Sequence, residues 1–118
     1  MRDFKKLDIW KNGITIVAKI YELSGNLPSN EKFGLRSQIT RAAVSIPSNI
    51  AEGSSRKSQM EFKRFLEIAM GSLFELETQL IITKELKLIK SSDLDLTFIL
   101  IEKEAEMINS LIQKIKNS

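Results

Sequence analysis

QITRAAVSIPSNIAEG, residues 38–53, is the stretch that decides the fold. Its apolar residues recur at steps of three and four, which at about 100° per residue places them on one face of a helix. Pro47 lies inside this pattern and cannot donate a hydrogen bond to the carbonyl of Ala43. Because the apolar period continues beyond it, we expect a kink at Pro47 rather than a break, with Ser45 or Ser48 satisfying the freed carbonyl. The face consists of Ile39, Ala42, Ala43, Ile46 and Ile50.

A polar stripe follows roughly the opposite face of the same predicted helix. Its side chains are an amide, a guanidinium, a hydroxyl, a second amide and a carboxylate, which are complementary donors and acceptors. Such a row is typical of a packed polar contact with another helix or subunit; the alternative is an ordinary solvated helix face. We expect Glu75 to meet Arg41 across that interface as a charge-assisted pair, the alternative being a solvated charge. The predicted interface residues are therefore Gln38, Arg41, Ser45, Asn49, Glu52 and Glu75.

Four amphipathic helices are predicted, over residues 7–24, 30–52, 58–86 and 92–116. Gly25 ends the first in the left-handed conformation; Ser29 or Asn30 caps the second, Ser58 the third, and Ser92 with Asp93 the fourth. The predicted core line of the first helix is Leu7, Trp10, Ile14, Val17 and Tyr21. That of the third helix is Phe62, Phe65, Leu66, Ala69, Leu73, Leu76, Leu80 and Thr83, and that of the fourth is Leu94, Phe98, Ile101, Ala105, Ile108, Ile112 and Ile115.

Short loops between such helices give an all-α, antiparallel up-and-down four-helix bundle. The length of 118 residues suits a single domain over residues 1–118. Further apolar residues lie beside the core lines. They indicate either a subunit interface or broad faces that pack both neighbours inside one bundle; they are Ile9, Ile16, Ile20, Ile81, Ile82, Ile99 and Leu100.

The composition excludes several classes of function. The chain has no cysteine and no histidine, which removes the usual zinc sites, Glu-x-x-His metal sites, disulfides and the Ser-His or Cys-His nucleophiles. We therefore expect no enzyme activity, no cofactor, no metal and no small-molecule substrate, and no catalytic role for Glu52, Glu75 or Glu77. No apolar run approaches 18 residues and the N-terminus lacks a hydrophobic signal core, so we expect a cytoplasmic protein without a membrane partner.

The polar and apolar runs also carry a family resemblance. Residues 38–53, followed by Ser55-Arg56 and by EFKRFLEIAMGSLFELETQL at residues 61–80, resemble the four-helix-bundle family of 23S rRNA-intervening-sequence proteins. In bacteria these are encoded inside extra segments of the large ribosomal RNA gene or elsewhere in the genome. The resemblance runs from about Phe4 to Leu88. It departs from the family at Thr40, where a second arginine often precedes the Ala-Ala pair, so the positive charge is halved there.

The resemblance implies a fold and a ring-like homo-oligomer, with a subunit count of five. Related accessory proteins of diversity-generating retroelements share the bundle and bind nucleic acid, which makes RNA or DNA the expected partner besides the chain itself. The net charge of +3 permits such a partner without requiring it. The candidate phosphate-binding residues surround the second connection, and the alternative is an ordinary basic surface; they are Arg56, Lys57, Lys63 and Arg64.

Two functions follow from these observations. The first is a non-enzymatic, homo-oligomeric protein associated with RNA or DNA through basic patches. The alternative is a structural or scaffolding oligomer that acts through protein contacts and binds no nucleic acid. Clustering of the four basic residues on one exposed face favours the first, and pairing of them with Glu61 and Glu67 favours the second.

Overall fold

A computed structural model describes residues 2–31 and 33–118 and contains four helices. Helix α1 spans Asp8–Ser24, α2 Leu35–Ser54, α3 Gln59–Glu85 and α4 Ser91–Lys116. Short 3₁₀ turns at Phe4–Lys6 and Ser29–Glu31 precede α1 and α2. The described residues contain no strand, which confirms the predicted all-α four-helix fold. None of their helices is long and apolar enough to span a bilayer.

The predicted core lines of α2, α3 and α4 are confirmed almost throughout. All five apolar residues of the α2 face are completely buried. The α3 line is buried from Phe62 to Thr83, with Phe65 half-buried at its edge. In α4 the buried line runs from Leu94 to Ile115, while Phe98 and Ala105 are half-buried beside it. Spacing of three and four therefore located three of the four core faces.

The predicted core line of α1 is wrong at Ile14 and Tyr21, whereas Leu7, Trp10 and Val17 are half-buried and pack against the edge of the core. Ile14 is 43% exposed and Tyr21 is 55% exposed, whereas the residues facing the core are Ile9, Asn12, Gly13, Ile16, Ile20 and Leu23. Both lines have helical spacing, so periodicity alone does not choose between them. The structure buries the branched aliphatic line that contains Gly13 and keeps the polar-tipped ring of Tyr21 at the surface.

Contacts between helix ends support the predicted antiparallel order, which stays a prediction. The Arg36 guanidinium at the start of α2 donates to the carbonyl of Ser24, the last residue of α1 (3.1 Å). At the other end of α2, the carbonyl of Arg56 accepts from the Arg2 guanidinium (2.9 Å). The two ends of α2 thus lie against opposite ends of the N-terminal segment.

Several predicted helix ends are corrected. Helix α2 begins at Leu35 rather than at residue 30, because residues 29–31 form a 3₁₀ turn and Gly34 has non-helical dihedral angles; Lys32 lies outside the described residues. Neither Ser29 nor Asn30 caps α2; instead the Glu31 carboxylate accepts from the Leu35 amide (3.2 Å). Gly25 is right-handed, with φ −64°.

The ends of α3 show one confirmed cap and one unpredicted closure. The Ser58 hydroxyl accepts from the Glu61 amide (3.1 Å), as the capping box predicts. At the other end Lys87 has φ 58°, and the amides of Lys87 and Leu88 bond back to Lys84 and Thr83. Helix α4 then begins at Ser91, and its cap residue Lys90 makes no side-chain capping bond, so Ser92 and Asp93 lie inside the first turn.

Pro47 is fully inside α2 and faces α1. A Cβ placed on Gly13 would lie 3.4 Å from Cβ of Pro47, which is van der Waals contact, so α1 and α2 pack closely here. The prediction that the hydroxyl of Ser45 or Ser48 donates to the Ala43 carbonyl is wrong. The Ser48 hydroxyl donates to the Val44 carbonyl (2.8 Å), and the Ser45 hydroxyl is bonded to the Ser72 hydroxyl. Because each hydroxyl already has another partner, locally for Ser48 and on α3 for Ser45, neither serine reaches the Ala43 carbonyl. The kink itself stays a prediction.

Helices α2 and α3 are in close contact at Gly53. The sequence placed Gly53 in the connection, but it is buried in the last turn of α2. A Cβ at this position would lie 2.5 Å from Cβ of Phe65 and 3.2 Å from a ring carbon of Phe62. Since Cβ of Phe65 cannot swing away as the far end of a flexible side chain can, only glycine fits without a shift of α2 against α3.

Gly53→Ala should lower the free energy of unfolding by about 1–3 kcal/mol, because the added methyl overpacks the α2–α3 contact. Chemical denaturation followed by far-ultraviolet circular dichroism measures the change. Gly25→Ala is the matched control, since Gly25 is exposed and already right-handed; we expect it to be neutral or slightly stabilising. Equal stability of Gly53→Ala and the wild type would contradict the proposed close contact.

Candidate nucleic-acid interface

Arg2 lies over the corner where α2 passes into α3. Its guanidinium carbon is 4.3 Å from the centroid of the Phe62 ring. One terminal nitrogen donates to the Arg56 carbonyl at 2.9 Å, and the other donates to the side-chain oxygen of Gln59. These contacts tie the N-terminal segment to the connection between the two helices. The ring contact orients the guanidinium, because a cation is attracted to the face of an aromatic ring.

Arg56, at the same corner, also has its guanidinium over a phenylalanine ring. Its guanidinium carbon is 4.8 Å from the centroid of the Phe65 ring. A terminal nitrogen of Arg56 lies 3.6 Å from a carboxylate oxygen of Glu52. Both side chains are substantially exposed, so this ion pair contributes little stability and leaves the guanidinium accessible to a stronger anion.

Lys57 and Arg64 complete the set. A surface cleft is lined by Arg2, Ser55, Arg56 and Lys57, and a neighbouring cleft by Arg56, Met60, Glu61, Arg64 and Phe65. Arg56 belongs to both clefts, so four cationic side chains lie around one corner of the bundle. We refer to Arg2, Arg56, Lys57 and Arg64 as the basic corner.

Lys63, the remaining predicted phosphate ligand, lies elsewhere. Its ammonium is 3.6 Å from the Glu67 carboxylate, and the side chain is only 22% exposed. It lines the groove between α3 and α4, together with Glu67 and Lys116. Adjacent positions on a helix point about 100° apart, which explains why Arg64 faces the corner and Lys63 does not. The structure therefore brings together three of the four predicted residues and adds Arg2.

The polar stripe makes its contacts inside the chain. The Arg41 guanidinium donates to the Glu75 carboxylate at 2.6 Å and to the Gln38 side-chain oxygen at 3.1 Å. The Arg41–Glu75 pair was expected across a subunit interface, and this is corrected: it joins α2 to α3 of the same chain. The reason is that both residues lie on the facing flanks of these adjacent helices. A subunit role for the stripe stays a prediction.

The rest of the stripe is also bonded within the chain. Ser45 bonds to Ser72 across the α2–α3 contact, and the Asn49 amide donates to the Ser45 carbonyl at 2.8 Å. Glu52 is the ion-pair partner of Arg56. The stripe therefore fixes α2 against α3 just above the basic corner, and Glu52 is its link to that corner.

A buried carboxylate, Glu104, occupies the core between α1 and α4. The Asn12 side-chain amide donates to one of its oxygens at 3.0 Å and also to the Leu100 carbonyl at 3.1 Å. The other oxygen, Oε2, has no hydrogen-bond partner among the described residues. Burial raises the pKa of Glu104 to about 7, against the lowering effects of the Asn12 hydrogen bond and the Lys103 charge.

Sequence reasoning missed Arg2, Asn12 and Glu104 for different reasons. Arg2 is distant in sequence from the connection, and nothing local indicates that it folds back onto Phe62. Glu104 did leave a signal, because it follows Ile101 by three residues and precedes Ile108 by four, which is the spacing of the core line. Asn12 was missed because it lies on the buried face of α1 with Ile9 and Ile16, and that face was not the predicted one.

The chain is similar to a known protein family and to a solved structure. The sequence model of a family described as 23S rRNA-intervening sequence protein matches residues 5–110. A solved structure of a protein of unknown function from the S23 ribosomal protein family of Bacteroides thetaiotaomicron is similar in fold, with a TM-score of 0.74 and 25% sequence identity. That similarity covers 92% of this chain and 98% of the other. No curated protein matches this chain.

The buried carboxylate generates a pH prediction. The folded-state pKa of Glu104, about 7, is above its ordinary value of 4.5, so the folded protein retains a proton that the unfolded chain has lost. Stability should therefore fall as the pH rises from about 4.5 to 7 and level off above that, with a total change of about 3 kcal/mol from this group. Denaturant unfolding of the wild type and of Glu104→Gln across pH 4–8 measures it.

Glu104→Gln should flatten this part of the pH profile, because the amide retains an acceptor for Asn12 and cannot ionise. The difference between the two profiles cancels the titration of all other groups. Glu106→Gln is the control. Glu106 lies two residues after Glu104 on α4 and its side chain is exposed, so this variant should keep the wild-type dependence of stability on pH. Parallel profiles for the wild type and Glu104→Gln would rule out the buried, proton-holding carboxylate.

Proposed function

This chain belongs to the 23S rRNA-intervening sequence protein family, and from that premise we propose that it is a non-enzymatic, self-associating protein that binds RNA through the basic corner. The family name and the ribosomal name of the similar solved structure direct attention to RNA. The absence of cysteine and histidine supports a binding role rather than a catalytic one.

One observation carries the proposal: two guanidiniums stacked on two phenylalanine rings at the same corner. Arg2 lies over Phe62 and Arg56 over Phe65. The guanidinium of Arg56 can offer N–H edges to the oxygens of a phosphate and its second face to an unpaired base. Both terminal nitrogens of Arg2 already donate within the chain, so Arg2 contributes mainly charge to the corner. Lys57 and Arg64 add charge without imposing geometry, as flexible or exposed cations do.

The expected binding mode is electrostatic and largely independent of sequence. Four cations at one corner can neutralise up to about four phosphates, each of which contributes about 0.7–0.9 to the slope of log affinity against log salt. Glu52 and Glu61 lie beside these cations and reduce the local positive charge. A single chain should therefore bind weakly, and self-association strengthens binding by presenting several corners to one RNA molecule.

A second candidate is a scaffolding oligomer that binds only proteins. The observation in its favour is the pairing of Lys63 with Glu67 and of Arg56 with Glu52, which neutralises part of the basic set. Under this alternative the basic corner serves only to keep the bundle soluble.

The test is the affinity of the purified protein for a structured RNA, with a matched duplex DNA alongside, measured by fluorescence anisotropy over a salt series. Lys57→Glu combined with Arg64→Glu should weaken RNA binding at least ~10-fold at low salt. It should also lower the salt slope by about 1.5, because two phosphate contacts are lost. Both residues are exposed, so the fold should be retained.

The matched control is Lys87→Glu combined with Lys90→Glu, which makes the same change of charge at exposed positions in the α3–α4 connection. It should weaken binding much less than the corner variant, and Lys63→Glu should also have a small effect. Equal losses for the two double variants would show a response to net charge alone. Absence of RNA binding at low salt would favour the scaffolding alternative.

A further inference from the structure

Two clefts of different chemistry meet at the basic corner, and Arg56 lines both of them. The first, which we call the phosphate cleft, is lined by Arg2, Ser55, Arg56 and Lys57 and has no acidic side chain in its lining. The second has a volume of about 470 Å³ and also contains a thioether, an aromatic ring and a carboxylate. We call it the mixed cleft; it is lined by Arg56, Met60, Glu61, Arg64 and Phe65. The mixed cleft therefore offers features that binding of a phosphate does not require.

The apolar part of the mixed cleft can hold a flat ring. Met60 is 69% exposed, and Phe65 is half-buried. Residues four apart on a helix share a face, so Met60 lies beside Arg64, and Glu61 lies beside Phe65. The Arg56 guanidinium lies over the Phe65 ring, and 42% of the Arg56 side chain stays exposed. A base can therefore contact the thioether and stack on the open face of the guanidinium, as unpaired bases do on arginine.

Glu61 is the residue of this corner that phosphate binding does not explain. Its backbone amide donates to the Ser58 hydroxyl, but its exposed carboxylate has no hydrogen bond or ion pair with any residue that the structure describes. An acidic side chain in a first turn stabilises the helix N-terminus. Beside cations that bind phosphate, however, a free carboxylate repels RNA unless the RNA offers it a hydrogen-bond donor.

The donors that a carboxylate can bind identify the base. A carboxylate has two acceptor oxygens, and among the four RNA bases only guanine has two adjacent N–H donors, N1–H and N2–H, on its Watson–Crick edge. Adenine, cytosine and uracil each have one donor group there, next to an acceptor that the second carboxylate oxygen would repel. The remaining acceptor of guanine, O6, matches a guanidinium such as that of Arg64, which lies three residues from Glu61 and lines the same cleft.

We propose that the mixed cleft binds an unpaired guanine of the RNA, while the phosphate cleft binds the phosphate beside it. The Glu61 carboxylate accepts from N1–H and N2–H, and the base lies against Met60 and the guanidinium of Arg56. Base pairing occupies the edge that Glu61 contacts, so the guanine comes from a bulge, a loop or an end. The inference rests on the RNA binding of the proposed function and adds which nucleotide occupies the basic corner.

The test measures the affinity of the full chain for RNA stem-loops that differ only in the identity of one bulged nucleotide, by fluorescence anisotropy at low salt. The fully paired stem-loop is the reference. The wild type should bind the guanine bulge at least ~5-fold more tightly than the adenine, cytosine or uracil bulge, which is the lower end of what a bidentate base contact provides. The bulged probes carry the same number of phosphates, so the electrostatic contribution cancels from the ratio.

Glu61→Gln separates recognition of the base from the effect of charge. An amide replaces one of the two acceptors by a donor, so the guanine preference should disappear. The affinities for the other three bulges should rise or stay unchanged, because a negative charge beside the phosphates is removed. Glu67→Gln is the matched control, since Glu67 is exposed on the same helix but lines the α3–α4 groove; it should retain the preference. Met60→Ala should weaken binding of the guanine bulge about 2–10-fold and leave binding of the paired stem-loop unchanged.

Several results would overturn the inference. Equal affinity for the four bulges, with RNA binding that still depends on Lys57 and Arg64, would remove the guanine site and leave the proposed function intact. A guanine preference that Glu61→Gln retains as fully as Glu67→Gln would place the base elsewhere. An equal loss of affinity for all four bulges in Glu61→Gln would indicate a structural role for this residue. Absence of binding to every probe at low salt would contradict the proposed RNA binding and this inference together.

Discussion

The contact of α2 with α3 at Gly53 is the constraint on which the functional surface depends. Because Gly53 has no side chain, the last turn of α2 lies directly on Phe62 and Phe65. The outer faces of the same two rings then support the guanidiniums of Arg2 and Arg56. One backbone approach thus buries the inner side of each ring and leaves a platform for a cation on the other. The bonds of the polar stripe, from Arg41–Glu75 to Ser45–Ser72, hold the two helices in this register.

The core between α1 and α4 contains a buried carboxyl group, that of Glu104. Pro47 and Glu104 both lie beside Gly13 of α1, and Asn12 satisfies only one oxygen of that carboxylate. A buried carboxyl with one unpartnered oxygen is costly when ionised. The α1–α4 side of the bundle is therefore the side whose stability depends on pH, whereas the α2–α3 side, which carries the basic corner, has no buried ionisable group among the described residues. A change of pH is therefore expected to affect the packing of α1 on α4 more than the packing of α2 on α3.

Much of the fold could be predicted from spacing alone, and the site only in part. The lines through Ile39 and Ile46, or through Leu66 and Leu73, are the single apolar stripes of their helices, so periodicity located them. Helix α1 has two stripes of helical spacing, so periodicity alone could not decide that Gly13 and Ile16 turn inward. Arg56, Lys57 and Arg64 lie close in sequence and were found together. Arg2 was not, because its place depends on long-range contacts that no local pattern encodes.

The most direct measurement of the central claim is ultraviolet cross-linking of the wild-type protein to a structured RNA, with the cross-linked peptides identified by mass spectrometry. Residues 56–65 place Phe62 and Phe65 beside the guanidiniums that would hold the RNA. The account predicts that cross-links concentrate in this segment and in the N-terminal peptide that contains Arg2, and that they diminish as salt is raised. Cross-links confined to α4 or to residues 84–90, or none above background, would contradict the basic corner as the RNA-binding surface.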